Sequence, residues 1–322
     1  MIFLAQNTNL TTATGISPTM QTYYDRKLLM NAKPNLVHHK FGQQAVLPKN
    51  SGKTIQFRKW TPFAAVSTPL TEGVVPDGQT LEMSTVSGQI EQYGGYVAVS
   101  DMLDLTALDP VINDSVELMG DQGGLTIDTI VRDVIVTGTN VQYAGGKTSR
   151  DTLTYTTETQ DKLTVDEIRK AVRTLKKNRA PQFVRGGKGY YVAIVGPETT
   201  YDLQSDPIWQ DVSKYSAAEQ IFDGEMGKLF GVIFVETTQT KIFTGAGANG
   251  RDVAATLIFG KNAYGVIDVE GNNLKSIIKP KGSAGTADPL DQISTIGWKV
   301  SGFSAKILQS LWIVRIEHVF SN

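Results

Sequence analysis

Thr71-Glu72-Gly73-Val74-Val75-Pro76-Asp77-Gly78-Gln79-Thr80 packs two glycines, a proline and an aspartate into ten residues. Each favours a turn for its own reason: Gly tolerates positive φ, Pro presets φ, and Asp bonds its own backbone. On either side the chain alternates. Thr54-Ile55-Gln56-Phe57-Arg58 and Gly95-Tyr96-Val97-Ala98-Val99 carry the two-residue period of strands. Residues 53–98 therefore read as one long β-hairpin whose tip carries Glu72, Val75, Pro76, Asp77 and Gly78. Such a ribbon has few residues with which to build a core, and a two-stranded ribbon alone is marginal in water. It is expected to lean on another molecule.

Upstream, residues 1–52 read as an extended arm rich in Thr, Asn and Gln and broken by Pro18, Pro34 and Pro48. One short amphipathic helix fits Thr19 to Ala32. Composition leaves two readings of the arm open, a disordered tail or a segment that orders against a neighbour.

Downstream, Asp109-Pro110 is an N-cap followed by proline at the first helical position. Ile112, Val116, Met119, Ile127, Ile130, Val131 and Val134 then form one apolar stripe, predicting a helix over about 110–137. Gly123-Gly124 interrupts it, where each glycine costs about 1 kcal/mol against alanine, so a kink or a close packing partner is expected there. Residues 139–160 read as loop and strand turning at Gly145-Gly146. Thr164-Val165-Asp166-Glu167 is a capping box opening a helix that ends before Ala180-Pro181. Buried strands are expected at 190–195, 229–235 and 254–259, a strand with alternating polar positions near its end at 311–319, and short helices opening at Gly196-Pro197 and Asp206-Pro207.

The chain offers little catalytic machinery. Its 322 residues include no Cys and three His, so disulfides, thiolate metal sites and cysteine nucleophiles are excluded. Adjacent His38 and His39 point apart on any regular element and do not share a metal. His318 reads as a packed histidine in an apolar strand. Asp101, Asp104 and Asp109 suit capping better than paired acid–base work. Gly245-Ala246-Gly247-Ala248-Asn249-Gly250 matches G-x-G-x-x-G, but the following residues read as strand rather than helix, so a hairpin loop is the better reading. The formal charge of -1 gives no whole-chain nucleic-acid footprint. Locally, the helix from 164 to 179 carries Arg169, Lys170, Arg173, Lys176, Lys177 and Arg179. That face either meets phosphates, with Arg169, Arg173 and Lys177 as candidates, or is simply solvated. With 31 Gly and 34 Thr the chain favours turns and strands. No run approaches the ~18 apolar residues of a membrane span. The apolar start Met1 to Ala5 lacks a basic flank, so no secretory signal is expected.

The order of elements, together with Thr68 to Gly78, Gln92 to Asp101, Arg132-Asp133-Val134 running into Gly138 to Tyr143, Pro289 to Gln292, Gly297-Trp298-Lys299 and Trp312 to Glu317, resembles the podophage-type major capsid proteins of tailed bacteriophages. The resemblance spans about residue 20 to the end. It implies the α+β Hong Kong-type capsid fold: an arm over 1–52, an extended loop over 53–98 lying on a neighbouring subunit, and a peripheral domain over 99–160 holding a spine helix. An axial domain over 161–253 and return strands of both domains over 254–322 complete it. The implied function is self-assembly into hexamers and pentamers, closing an icosahedral shell around a double-stranded DNA genome. The implied place is the virion capsid, assembled in the bacterial cytoplasm, without enzyme activity, cofactor or membrane. Beyond copies of itself, the implied partners are separate scaffolding, portal and decoration proteins, with non-specific contact to packaged DNA. The Thr- and Gly-rich composition favours one alternative, a non-enzymatic tail-associated or surface binding module. A carboxylate-dependent hydrolase ranks third.

Overall fold

The computed structural model describes residues 28–32, 36–60, 63–106, 111–156, 159–210, 225–270, 274–285 and 288–321. The expected cap at Asp109-Pro110 and most of the expected helix at 19–32 lie outside these residues. In chain order the strands are β1 (Gln43–Leu47), β2 (Thr54–Trp60), β3 (Met83–Gln89), β4 (Glu91–Ser100), β5 (Val141–Tyr143), β6 (Phe183–Arg185), β7 (Lys188–Val195) and β8 (Glu225–Leu229). They continue as β9 (Val232–Glu236), β10 (Lys241–Phe243), β11 (Val253–Phe259), β12 (Tyr264–Val269), β13 (Lys275–Lys279), β14 (Ile293–Ile307) and β15 (Ile313–His318). The helices are α1 (Asp101–Thr106), α2 (Val111–Val136), α3 (Val165–Lys177) and α4 (Pro197–Gln204).

Two sheets and a ribbon organise these elements. One sheet runs β1-β12-β14-β13, with β4 also on β14. The other runs β5-β15-β11-β7-β9-β8, with β10 on β11 and β6 on β7. The ribbon pairs β2 with β3 alone. Because β1–β12, β5–β15 and β7–β9 are parallel and the rest antiparallel, the architecture is mixed α+β. The central strands of the larger sheet are apolar on both faces: all seven residues of β11 are buried, as expected of a strand covered from both sides. Helix α3 covers one of those faces with Val165, Ile168, Ala171, Val172 and Leu175.

The ribbon departs from the sequence expectation. Its return strand is β3, with Thr54 opposite Gln89 and Trp60 opposite Met83; residues 95–99 belong to β4, which pairs along β14 from Ser100↔Ile293 onward. Met83-Ser84-Thr85-Val86-Ser87-Gly88-Gln89 has no apolar alternation because it is largely exposed on both faces, so no period marks it. The expected strand at 229–235 is two strands. Phe230 and Gly231, at φ 49° and 78°, turn the chain between β8 and β9. Likewise 310–312 form a 3₁₀ turn before β15. The capping box at Thr164 forms one of its two bonds. Thr164 Oγ1 accepts from Glu167 N, while the Glu167 carboxylate bonds Gln142 and Lys170 instead of reaching back. Ser100 caps α1 by accepting from Leu103 N at 3.3 Å, Asp101 accepts from Met102 N, and Asp104 pairs with Lys281 at 2.9 Å.

Helix α2 runs unbroken through Gly123-Gly124, and its glycines are contact points. A Cβ on Gly120 would come within 2.7 Å of the Leu28 carbonyl, and one on Gly124 within 2.6 Å of the Ala32 carbonyl. The helical segment 28–32 thus crosses α2 backbone to backbone, burying Leu28 and Ala32. On another side, Gly123 lies under Trp298 of β14, whose Nε1 donates to Gln122 Oε1 at 2.8 Å. Behind this segment Phe41 joins an aromatic cluster with Phe183, Phe259 and Tyr264 that links the two sheets. The described residues of 28–47 therefore pack on their own chain, and β1 adds a parallel strand to its sheet.

Gly124→Ala tests this crossing. Helix propensity alone favours the change by about 1 kcal/mol, but overpacking against a backbone carbonyl costs about 1–3 kcal/mol. The variant is expected to be less stable in urea unfolding and to be cut faster near residue 30. Equal or greater stability contradicts the close crossing.

Candidate assembly surfaces

The base of the ribbon is seated on its own chain. Along β2, Ile55, Phe57 and Lys59 are half-buried while the alternate residues are exposed. The Phe57 ring lies over Gly265 of β12, where a Cβ would sit 2.6 Å from it, and Ile267 reaches into the space left by Gly88 of β3. Lys59 Nζ donates to Gln309 Oε1. Beside this seat a cleft of about 390 Å³ opens between Ser87, Glu91, Tyr93, Ile130, Val134 and Lys306. The Tyr93 hydroxyl donates to Glu91 at 2.7 Å, and burial with that carboxylate pushes the phenol up to about 12.

Beyond Trp60 the ribbon is bare among the described residues. Every residue from Phe63 to Glu82 is exposed, including Leu70 at 75% and Val75 at 90%. The predicted tip residues Glu72, Val75, Pro76, Asp77 and Gly78 all lie in this span, with the Val74 amide donating to the Thr71 carbonyl at 3.2 Å in a turn. Phe63, Val66, Leu70, Val74 and Leu81 are exposed with them. Apolar exposure along one projecting segment is the mark of an interaction surface. Residues 63–82 also carry three acids, Glu72, Asp77 and Glu82, and no base.

A surface of opposite character lies on the smaller sheet. Pairing aligns Ile277, Gly297 and Tyr96 in one row across β13, β14 and β4, and Lys275, Lys299 and Gly94 in the next outward row. Lys275, Lys279 and Lys299 are exposed, Tyr96 is 76% exposed and Ile277 43%. With no side chain on Gly94 or Gly297, the face holds a shallow groove of about 410 Å³. The sequence reading missed this face. Its signal, exposed alternation in Lys275-Ser276-Ile277-Ile278-Lys279, gains meaning only when β4 and β14 are aligned beside it.

The predicted basic residues also face out. Arg169, Arg173 and Lys177 are exposed on the side of α3 opposite its buried stripe. Arg169 pairs with Asp166 at 3.1 Å and Lys170 with Glu167 at 2.7 Å. The structure does not bring α3 together with the ribbon tip in one site.

The histidines are structural. His38 Nδ1 lies 2.6 Å from Asp128 Oδ2, both fully buried, while the His39 amide donates to Asp128 Oδ1 at 3.1 Å and the His39 ring stacks on Phe303. The two rings diverge. Tyr264 Oη donates to the His38 carbonyl, and burial raises its phenol well above the ordinary value. His318 is buried with Nδ1 3.1 Å from the Val319 carbonyl and Nε2 3.0 Å from Thr256 Oγ1. A carbonyl only accepts, so Nδ1 carries the proton and Nε2 accepts from the hydroxyl. Burial lowers its pKa to about 4 against the opposing pull of Val319, Asp202 and Glu317. Asp202 ties down the chain end: it accepts from Ser321 N and Oγ and pairs with Lys162 at 2.9 Å. Desolvation opposes its ionisation, but the Ser321 and Lys162 contacts outweigh it and hold the carboxyl below its usual range. Arg150 grips the buried Glu317 with two 2.7 Å bonds. Gly245 to Gly250 joins the antiparallel strands β10 and β11 as a loop, with no helix following. Among the described residues, no three His, Asp or Glu side chains could hold a metal ion, and no helix is long and apolar enough to cross a membrane.

The family model for phage capsid proteins matches residues 82–316. No curated protein matches the chain by sequence. Among solved structures, the capsid of Ralstonia phage GP4 is similar at 15% identity over 88% of each chain, with a TM-score of 0.68. The cyanophage Pam1 capsid is similar at 13% identity, over 85% of this chain and 87% of that one, with a TM-score of 0.66. A virus-like particle from Pyrococcus furiosus, at 10% identity, covers 92% of this chain and 99% of its own at 0.51. The fold is the Hong Kong-type capsid fold, with α2 as its long helix.

His318 makes the unassembled subunit acid-sensitive. A base whose pKa falls on folding leaves the unfolded chain holding more protons between the two values, so stability declines as pH drops from about 6.5 towards about 4. Between pH 7 and 4.5 the loss from this group is about 2–3 kcal/mol. The lowered Asp202 acts only below the ordinary carboxylate range, so it does not blur that window. His318→Gln is expected to lose correspondingly less over the same interval in urea unfolding. An equal loss in both proteins contradicts the assignment of His318 as buried and neutral.

Proposed function

The chain belongs to the phage capsid protein family, and from that premise we propose that it is the major subunit of a podophage-type icosahedral head, assembled through its β2–β3 ribbon. Its work in the virion is structural and non-enzymatic. One observation carries the proposed mode of assembly: the chain holds two unlike surfaces that fit each other. Residues 63–82 expose apolar side chains among three acids. The face of β13, β14 and β4 exposes Tyr96 and Ile277 among three lysines. Contact between unlike patches of identical copies is heterologous, and a heterologous contact closes into rings when the rotation permits. Hexamers and pentamers are such rings. The apolar centre supplies the affinity and the charges fix register and orientation. A tip contact of this kind is modest by itself, and a closed ring multiplies it through linked contacts.

The quoted sequence blocks at 68–78, 92–101 and 132–143 favour the podophage type. In this reading the β2–β3 ribbon and the loop between them reach out, β4 stays with the smaller sheet, and the rest of the subunit forms the shell wall. A scaffolding protein would guide closure, and portal and decoration proteins would complete the head in the bacterial cytoplasm.

Deleting residues 70–80 tests the ribbon's role. The subunit is expected to keep its circular dichroism spectrum and its unfolding transition, because every residue of that segment is exposed. Light scattering and negative-stain images are expected to show no rings or shells. Normal shells from the deleted protein contradict the reading.

A further inference from the structure

We propose that the outer face of α3 and the adjoining β6–β7 turn form the surface on which the subunit meets double-stranded DNA inside the shell, holding phosphates without reading sequence. This goes beyond the contact between copies and uses none of its residues.

Between Glu167 and Glu198 the chain carries eight bases, Arg169, Lys170, Arg173, Lys176, Lys177, Arg179, Arg185 and Lys188, and no acid. The structure gathers their far half at one end of the larger sheet. Asp166 and Glu167 offset Arg169 and Lys170 near the start of α3. Arg173, Lys176 and Lys177 follow, exposed in the last turns. Only residues 178–182 separate α3 from β6, so the β6–β7 hairpin follows directly on the end of the helix.

Two positions carry charge where the backbone favours something else. Arg179 sits at φ 52°, just past the helix, where the Ala180 amide bonds the Leu175 carbonyl at 3.0 Å. That left-handed position at a helix end ordinarily belongs to glycine. In the hairpin, Arg185 lies directly opposite Lys188 across the turn made by Gly186 and Gly187, and like charges placed opposite each other destabilise a strand pair. The need for capping charge at a helix C-terminus accounts for Lys176 and Lys177. It does not account for Arg179, Arg185 or Lys188, which lie outside the helix.

The chemistry of the face selects its partner. All apolar side chains of α3 point to the core, and Val184 is the large apolar residue exposed in the hairpin. A protein interface is built around an apolar centre ringed by polar groups; beside the outer face of α3 the large exposed apolar residues stand singly, Phe230 under Arg169 and Val184 in the hairpin. A phosphate backbone requires only accessible cations.

The test measures binding of the full-length unassembled subunit to a mixed-sequence 24-bp duplex by fluorescence anisotropy across a salt series. The expected log affinity falls steeply with log salt, by about 0.9 for each phosphate neutralised, and does not change with duplex sequence. Combining Arg173→Gln, Lys176→Gln, Lys177→Gln, Arg179→Gly and Lys188→Gln should flatten that slope by about three to four and weaken low-salt binding at least about 30-fold. Arg179→Gly alone should weaken binding a few-fold while Tm stays level or rises, and it serves where the combined variant fails to fold. Duplex added to closed shells should stay unbound. Unchanged binding in Arg179→Gly and in a folded combined variant overturns the proposal. So does duplex binding to the outside of closed shells, or equal affinity for polyglutamate of matched charge, which would mark a protein-binding face.

Discussion

A two-stranded ribbon has only two faces and no interior. Here one face at the base rests on β12 through Phe57 and Gly265, and from Phe63 to Glu82 the chain runs for twenty exposed residues. Water does not stabilise that arrangement, because an isolated ribbon lacks the burial that offsets its conformational entropy. The rest of the subunit answers to this constraint. Its core is anchored elsewhere, on α2 against β14 and on α3 against the larger sheet, so the ribbon can project without unfolding the body. In the proposed assembly, burial of Leu70, Val74 and Val75 falls to a second copy.

Much of this was legible in the sequence where burial imposes a period. The stripe from Ile112 to Val134 marked α2 to within a residue or two, and the apolar runs of β7 and β11 marked the centre of the larger sheet. Thr164 marked the start of α3. The failures share a cause. β3 buries only Gly88 and half-buries Val86, so Met83 to Gln89 carries no apolar alternation, and the better-patterned residues 95–99 stand in its place in the sequence reading. Leu229 to Val235 is apolar throughout, and only the positive φ at Phe230 and Gly231 shows the turn inside it. Gly123-Gly124 offered a kink or a close contact with no local basis for choosing; the segment at 28–32, which decides it, lies some ninety residues away. The ribbon tip was readable because turn formers cluster there. The lysine face was not, since Lys275 and Lys299 meet only through pairing between β13 and β14.

Net charge conceals the charge pattern. The total of -1 averages over an acidic ribbon tip, a lysine-bearing sheet face, a basic tract between Glu167 and Glu198, and the acids spread along the rest of the chain. Many copies of a near-neutral subunit can be concentrated in one shell without a large self-repelling field. The balance therefore argues against a dedicated nucleic-acid binder and remains consistent with a container for one.

The central claim is that the acidic tip of one copy seats on the lysine face of the next. Mixing two charge-reversed subunits tests it directly, one carrying Glu72→Lys, Asp77→Lys and Glu82→Lys, the other Lys275→Glu, Lys279→Glu and Lys299→Glu. Native mass spectrometry should find each alone as monomer. The equal mixture should form alternating six-membered rings but no five-membered ones, because strict alternation cannot close around an odd number. Rings from either variant alone, or a mixture that stays monomeric, would contradict the account.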